Sequence, residues 1–181
     1  MPYCIQGKSR MHIDIGTCQI RHYRQDDAVS MAAAANNRNI WRNMQDGFPH
    51  PFTLADAQAR IALTVNQVPQ QTFAIASGEQ FIGGIGLELR QDVFRRSAEI
   101  GYWLGESHWG QGIATAAVRA LTEFAFEQFE LVRIDASVFE WNPASCRVLE
   151  KAGYVQEARL RKAVYKDGEI IDRLIYTRLR E

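Results

Sequence analysis

Two stretches of this chain carry residues whose types and spacing suit chemistry. The first is "HWGQGIATAAVRAL", His108 to Leu121, where two glycines and a small-residue run lead into an apolar-periodic helix. A helix N-terminus exposes free N–H groups and a partial positive charge. Gly110 and Gly112 remove side chains that would block a ligand, and Ala114 keeps the next turn small, so the stretch could cradle a phosphate or pyrophosphate. A glycine turn that only links a strand to a helix fits the same residues. The second stretch is "NPASCRVLEKAG", with Asn142 and Ser145 spaced i, i+3. Asn142 reads as an N-cap and Ser145 as a polar first-turn residue, with Pro143 at the first turn and Gly153 at the stop.

Two phosphate loops are set aside. A triphosphate loop needs Gly-Lys followed by Ser or Thr, and that triplet is absent. A dinucleotide fingerprint wants a third glycine where Thr115 stands.

The elements around these stretches follow from periodicity. "CQIRHYR" alternates as a strand, and "QDDAVSMAAAANN" reads as a helix with Asp26 or Asp27 as N-cap and Asn36–Asn37 as stop. "IWRNMQDGFPHPF" reads as a short helical piece and a loop, broken by Gly47, Pro49 and Pro51. "TLADAQARIALTVNQ" reads as a helix capped by Thr53, with Leu54, Ala57, Ile61 and Val65 as its apolar stripe. "QTFAIAS", "QFIGGIGLELR" and "SAEIGYWLG" read as an antiparallel meander. A four-turn helix "TAAVRALTEFAFEQF", a strand "VRIDASVFEWN", the second helix named above and a hairpin about Asp167–Gly168 complete the chain. The expected class is α+β: a central mixed, largely antiparallel sheet with helices on both faces.

The 181 residues suit one domain, here residues 15–181, after an arm of uncertain order over 1–14. Apolar residues make up 46% and charged residues 23%, enough for a core without disulfides or metals. Lys+Arg and Asp+Glu both number 21, which argues against a broad polyanion-binding surface and hence against nucleic acid. Cys4, Cys18 and Cys146 form no CxxC pair and read as free thiols in a reducing compartment, with no metal site. No secretory leader and no apolar run of about 18 residues is found, so a cytoplasmic setting without membrane insertion is expected.

Taken together, "EIGYWLGESHWGQGIATAAV" and "VFEWNPASCRVLEKAGY" resemble the GNAT acyl-CoA-dependent N-acetyltransferases, nearest the RimJ/RimL branch that acetylates protein N-termini. The resemblance runs from about Gln19 to Arg180, and "DGFPHPFTLADA" resembles that branch's substrate-side loop and helix. The family loop places Arg or Gln at its first position, Gly at its fourth, and Gly or Ala at its sixth. Gly112 and Ala114 match, whereas Trp109 departs.

The resemblance implies acetyl-CoA as donor and no metal. It implies that the backbone N–H groups of Gly110, Gln111, Gly112, Ile113, Ala114 and Thr115 hold the pyrophosphate, with the Trp109 side chain as one part of the cradle. The pantetheine would lie along Tyr102, Trp103 and Leu104, where the sheet splays, with a free N–H facing the oxyanion. Gly101 suits close backbone approach, and a bulge suits it equally. Asn142 would bond the pantetheine amide and Ser145 would sit at the thiol. Many relatives place a tyrosine acid seven residues after the Asn. Leu149 stands there, one turn beyond Ser145 on the same helix face.

For the base, Glu99 shares a strand face with Ser97, Gly101 and Trp103, and could take a proton through water. An ion pair with Arg95 or Arg96 is the competing reading, and Asp172 is the reserve. His50, between Pro49 and Pro51, reads as an exposed loop residue or a substrate contact. Cys146 reads as helix packing. Trp41, Phe48, Phe52, Trp103 and Trp141 could line the acceptor pocket, with about two touching substrate. Arg159 to Lys162 reads as a solvated face or an adenosine-phosphate contact. The acceptor implied is a protein or peptide N-terminus. No acidic cluster marks "GFPHPF" as a polyamine site, although Asp46 and Asp56 flank it. A small amine acceptor, a non-catalytic acyl-CoA-binding module and a homodimer all stay open.

Overall fold

A computed structural model of the chain describes residues 11–65 and 67–181. Most of the arm, residues 1–10 with Cys4, lies outside the described residues. The arm's last residues form strand β1 (His12–Asp14), antiparallel to β2 (Gln19–Arg21). Then follow α1 (Asp27–Ala35), α2 (Arg38–Trp41), α3 (Leu54–Val65), β3 (Thr72–Ser77), β4 (Gln80–Leu89) and β5 (Ser97–Leu104). The second half holds α4 (Ile113–Gln128), β6 (Arg133–Phe139), α5 (Pro143–Lys151), β7 (Val155–Lys166) and β8 (Glu169–Leu179). Among the described residues eight strands form one sheet in the order β1-β2-β3-β4-β5-β6-β8-β7. Every neighbouring pair is antiparallel except β5 with β6. The class is α+β, as expected.

Strand alternation sends apolar side chains to both faces, and each face finds its own helices. On one side Ile20, Phe73, Ile85, Ile100 and Ile134 pack with Val118 and Leu121 of α4 and Leu149 of α5. On the other, Tyr23, Ala74, Phe81 and Trp103 pack with Met31 of α1, Ile40 of α2, and Ala57 and Ile61 of α3. Leu121 is completely buried, and truncating it to Ala would cost about 2–5 kcal/mol.

Two local readings are corrected. Asp26 stands at the N-cap of α1 but makes no side-chain cap bond. Asp27 instead turns to the buried Arg21, with Oδ1 2.7 Å from Nη2 and Oδ2 2.8 Å from Nη1, and accepts from the Arg24 N–H. A buried guanidinium needs a counter-charge more than a helix end needs a cap, and breaking such a pair costs about 3–5 kcal/mol. Leu54 and Val65 are exposed, because the buried side of α3 runs through Ala57, Ile61 and Thr64. Thr53 caps α3 as read: its Oγ1 accepts from the Asp56 N–H at 3.3 Å, while Asp56 Oδ2 accepts from the Thr53 N–H at 2.8 Å.

The relation that shapes the site is the parallel pair. β5 and β6 are joined only at Ser97↔Arg133, Ala98↔Ile134 and Glu99↔Asp135. Beyond Glu99 the strands part, while β5 stays paired to β4 as far as Leu104. The register through Gly101 is unbroken, so no bulge is present there. The gap between β5 and β6 opens beside α4 and α5.

Candidate functional site

A trough of about 780 Å³ runs through that gap, a volume suited to a cofactor and a small acceptor. At one end the chain leaves β5 and enters α4 through the glycine turn. Gly110 and Gly112 have φ of +75° and +80°, which glycine alone adopts without strain. A Cβ at Gly112 would meet nothing within 4 Å, so it would project into the open cradle. Gly112 is the N-cap of α4 and supplies no side-chain cap, leaving the first N–H groups of the helix open toward the trough. The cradle therefore fits a pyrophosphate.

Trp109, Gly110, Gly112, Ile113, Ala114 and Thr115 line this end. Gln111 does not, and its side chain donates back to the Ser107 carbonyl at 3.1 Å. Trp109 has a structural task of its own. Its indole Nε1 donates to the Leu104 carbonyl at 2.7 Å, tying the turn to the end of β5. That bond explains how an indole can stand where the family loop has Arg or Gln. On the opposite wall, Arg147 and Lys151 of α5 line the same end and make no side-chain bond or ion pair among the described residues. Their i, i+4 spacing beside Ala144 was legible in the sequence and was missed. Arg159 lies outside the trough lining, its Nε 2.6 Å from Asp172 and its Nη2 2.5 Å from Glu140.

In the middle of the trough, Tyr102, Trp103 and Leu104 of β5 face Asn142 and Ser145 of α5. Asn142 does cap α5, its Oδ1 accepting from the Ser145 N–H at 3.1 Å. Its amide Nδ2 has no partner among the described residues, so the cap leaves a donor for a ligand carbonyl. The Tyr102 hydroxyl lies 2.8 Å from Ser145 Oγ. Burial pushes the Tyr102 phenol well above its usual range, and the bond to Ser145 only partly opposes that. Leu149 is fully buried beneath them. No local pattern marks that a strand brings a tyrosine hydroxyl to Ser145.

At the acceptor end, Phe48 and Trp103 line the trough and meet edge to face, with centroids 5.6 Å apart. Phe52 packs behind Phe48 at 4.9 Å. Trp41 and His50 lie outside the lining, their rings 5.8 Å apart, and Lys166 Nζ sits 3.9 Å over Trp41. Trp141 also lies outside, under the Arg42 guanidinium at 4.1 Å.

Glu99 lines the trough, in register with Glu88 on β4, and both carboxylates stand on one face of the sheet. Its partners are not Arg95 or Arg96, whose side chains bond the carbonyls of Asp92 and Glu130. Glu99 Oε1 accepts from Ser137 Oγ at 2.6 Å, and Oε2 lies 3.9 Å from Arg90 and 3.8 Å from Arg173. Its surroundings are polar, because β6 and β8 bring Ser137 and Arg173 to it, and Trp103 is two same-face positions away. Asp172 is unsuited as a reserve base. The Lys162 N–H and the Arg159 guanidinium hold its carboxyl below the usual range. Among the described residues no cluster of three or more His, Cys, Asp or Glu could hold a metal ion. Likewise, no helix there is long and apolar enough to cross a membrane.

Known proteins resemble this chain in sequence and in fold. Ribosomal-protein-serine acetyltransferase of Escherichia coli (strain K12) is 35% identical over 107 residues, 59% of either chain. The chain spans about half the length of curated Bacillus subtilis relatives that it matches. A Mycobacterium smegmatis RimJ structure in complex with a CoA disulfide superposes with a TM-score of 0.80 at 25% identity, covering 91% of this chain and 83% of its own. A RimL structure, a ribosomal L7/L12 α-N-protein acetyltransferase in complex with coenzyme A, superposes with a TM-score of 0.82 at 19% identity, covering 93% and 98%. The family model described as "Acetyltransferase (GNAT) domain" matches residues 18–155, and with that match the chain belongs to the GNAT acetyltransferase family.

Proposed function

We propose that this chain is an acetyl-CoA-dependent N-acetyltransferase that moves the acetyl group directly to a primary amine, most suitably the α-amine of a protein or peptide N-terminus. The observation that carries the reading is the alignment along one trough of an open helix N-terminus, a strand gap and the Tyr102–Ser145 hydroxyl pair. The N-terminal acceptor rests on the relatives that act on ribosomal proteins.

Acetyl-CoA, when bound, supplies an acyl thioester for attack by the amine. The N–H groups from Gly110 to Thr115 bind its pyrophosphate, and Arg147 and Lys151 add positive charge there. Asn142 Nδ2 donates to a pantetheine carbonyl. A backbone N–H of β5, freed where β6 turns away, polarises the thioester carbonyl. Glu99 takes the proton released by the amine through water, with Ser137 and Arg173 fixing its carboxylate. Tyr102 and Ser145 present hydroxyl protons to the departing sulfur. Ser145 alone is a poor acid, and Tyr102 gives it a donor behind it.

The Glu88–Glu99 pair favours a second acceptor class, since two same-face carboxylates suit a small polyamine. The 12-residue β7 edge, with Tyr165 exposed beside Ile170, offers a surface for a second copy of the chain, readable by size-exclusion light scattering. A cytoplasmic setting goes with ribosomal acceptors. The deciding measurement is thiol release from acetyl-CoA against peptides with different N-termini, polyamines and aminoglycosides. Turnover with peptides establishes the reading, and turnover with polyamines alone moves the acceptor class. Acetyl-CoA binding without turnover of any amine would leave a binding module.

A further inference from the structure

The acceptor end of the trough holds polar groups that the proposed chemistry does not use. Tyr23 and Trp103 are 7% and 9% exposed, and both line the trough. Buried phenols and indoles ordinarily find a hydrogen-bond partner. Here neither Tyr23 Oη nor Trp103 Nε1 has a protein partner among the described residues, and neither atom is sealed off, so both donors open into the trough. The two atoms converge on Gly84. A Cβ built there would lie 2.7 Å from the hydroxyl and 2.9 Å from the indole nitrogen. The missing side chain at Gly84 therefore keeps this spot open.

The third group is Arg60. It is an exposed residue of α3, next to the buried Ile61, and it lines the trough. Its guanidinium makes no ion pair and no hydrogen bond among the described residues, whereas Arg38, Arg42, Arg90 and Arg173 are all paired. Arg60 is close enough to Tyr23 for its charge to work against the rise that burial imposes on the phenol.

A phenol O–H, an indole N–H and a guanidinium are three donors with no acceptor between them. From this convergence we infer that Tyr23, Trp103 and Arg60 form a subsite for a carboxylate on the acceptor. The inference rests on the acetyl-transfer reading for the location of the amine. Trp103 and Glu99 share a strand face four residues apart, about 13 Å. An amine delivered between them lies within about 7 Å of the donors, the reach of two extended residues. The carboxylate then belongs to an acidic side chain next to the acceptor's first residue, or is the α-carboxylate of a free amino acid.

Two matched pairs separate those sources: Ser-Asp-Ala-amide against Ser-Asn-Ala-amide, and serine against serinamide. Each is assayed for acetylation and, by calorimetry on the CoA-loaded protein, for binding, in the wild type, Tyr23→Phe, Arg60→Gln and Arg60→Glu. The expected result is a preference of about tenfold for the charged member of one pair. That preference should collapse in Arg60→Gln, shrink in Tyr23→Phe and turn toward Ser-Lys-Ala-amide in Arg60→Glu. Equal use of both members, or a preference that survives Arg60→Gln, overturns the subsite. Arg60-dependent binding without acetylation keeps the subsite and rejects the transfer reading. Acetylation without any charge preference does the reverse.

Discussion

The Tyr102 hydroxyl reaches Ser145 Oγ across the gap between β5 and α5, at 2.8 Å. Neither residue could do this from its own element. If the pair delivers a proton to the sulfur, Ser145→Ala and Tyr102→Phe should each lower kcat about 100-fold. Acetyl-CoA affinity should change little in either. The double variant should be hardly worse than the singles, since residues acting as one unit are not additive. Steady-state kinetics with calorimetry checks this, and additive losses would separate the two roles.

Gly112→Gln should abolish acetyl-CoA binding while the fold survives. The side chain would enter the open cradle, and φ of +80° would cost a non-glycine residue about 1–2 kcal/mol. Calorimetry and thermal melting separate the two effects. Normal binding by a folded variant would remove the phosphate cradle from the proposal.

Arg147→Ala and Lys151→Ala should weaken acetyl-CoA binding about fivefold each at low salt, and less at high salt, as expected for exposed charges facing phosphate. Dephospho-CoA as a competitor reports which phosphate they meet. Salt-independent losses would point to packing on α5 instead.

Glu99→Gln should lower kcat/KM about 100-fold. The remaining rise of rate with pH should then follow only the acceptor amine. Glu88→Gln, which leaves Ser137 and Arg173 on Glu99, should act mainly through acceptor KM. Rate profiles across pH for both variants decide which carboxylate takes the proton.

Stability should fall above about pH 10, where phenols of the unfolded chain ionise. Burial pushes Tyr23 up to about 12 and raises Tyr102 and Tyr154 as well. A raised phenol stabilises fully below the unfolded value, and that contribution is lost as pH rises through the folded one. Tyr154 adds a bond to Thr122 Oγ1 at 2.7 Å. Tyr154→Phe should lose about 1 kcal/mol near neutrality and show a flatter alkaline decline. Urea midpoints at pH 8 to 11 measure both.

Much of the fold was legible because local rules were strong. The meander of β3, β4 and β5 alternates cleanly, Asp167–Gly168 takes positive φ at both turn positions, and Thr53 caps α3. The misreadings occurred where a distant partner outbid a local one. Asp27, at the start of α1, turned to Arg21 on β2. Glu99 found Ser137, Arg90 and Arg173, which lie on β6, a loop and β8. Trp41 and His50 read as pocket residues because they neighbour Phe48 in sequence, yet Lys166 of β7 covers Trp41 from the other side.

The sequence by itself determined the glycine turn, the helix starts and the chemistry available to Asn142, Ser145 and Glu99, because these depend on backbone geometry within a few residues. The tertiary structure alone decided which of them meet. The gap exists because β5 pairs with β6 over three residues and then diverges, and no local pattern encodes where a parallel pairing stops. Beside that gap the Tyr102–Ser145 bond forms, while Glu88 and Glu99 pair across β4 and β5 and the Tyr23 and Trp103 donors meet over Gly84. Each joins residues from separate elements, which only the packed sheet and its two helical layers bring together.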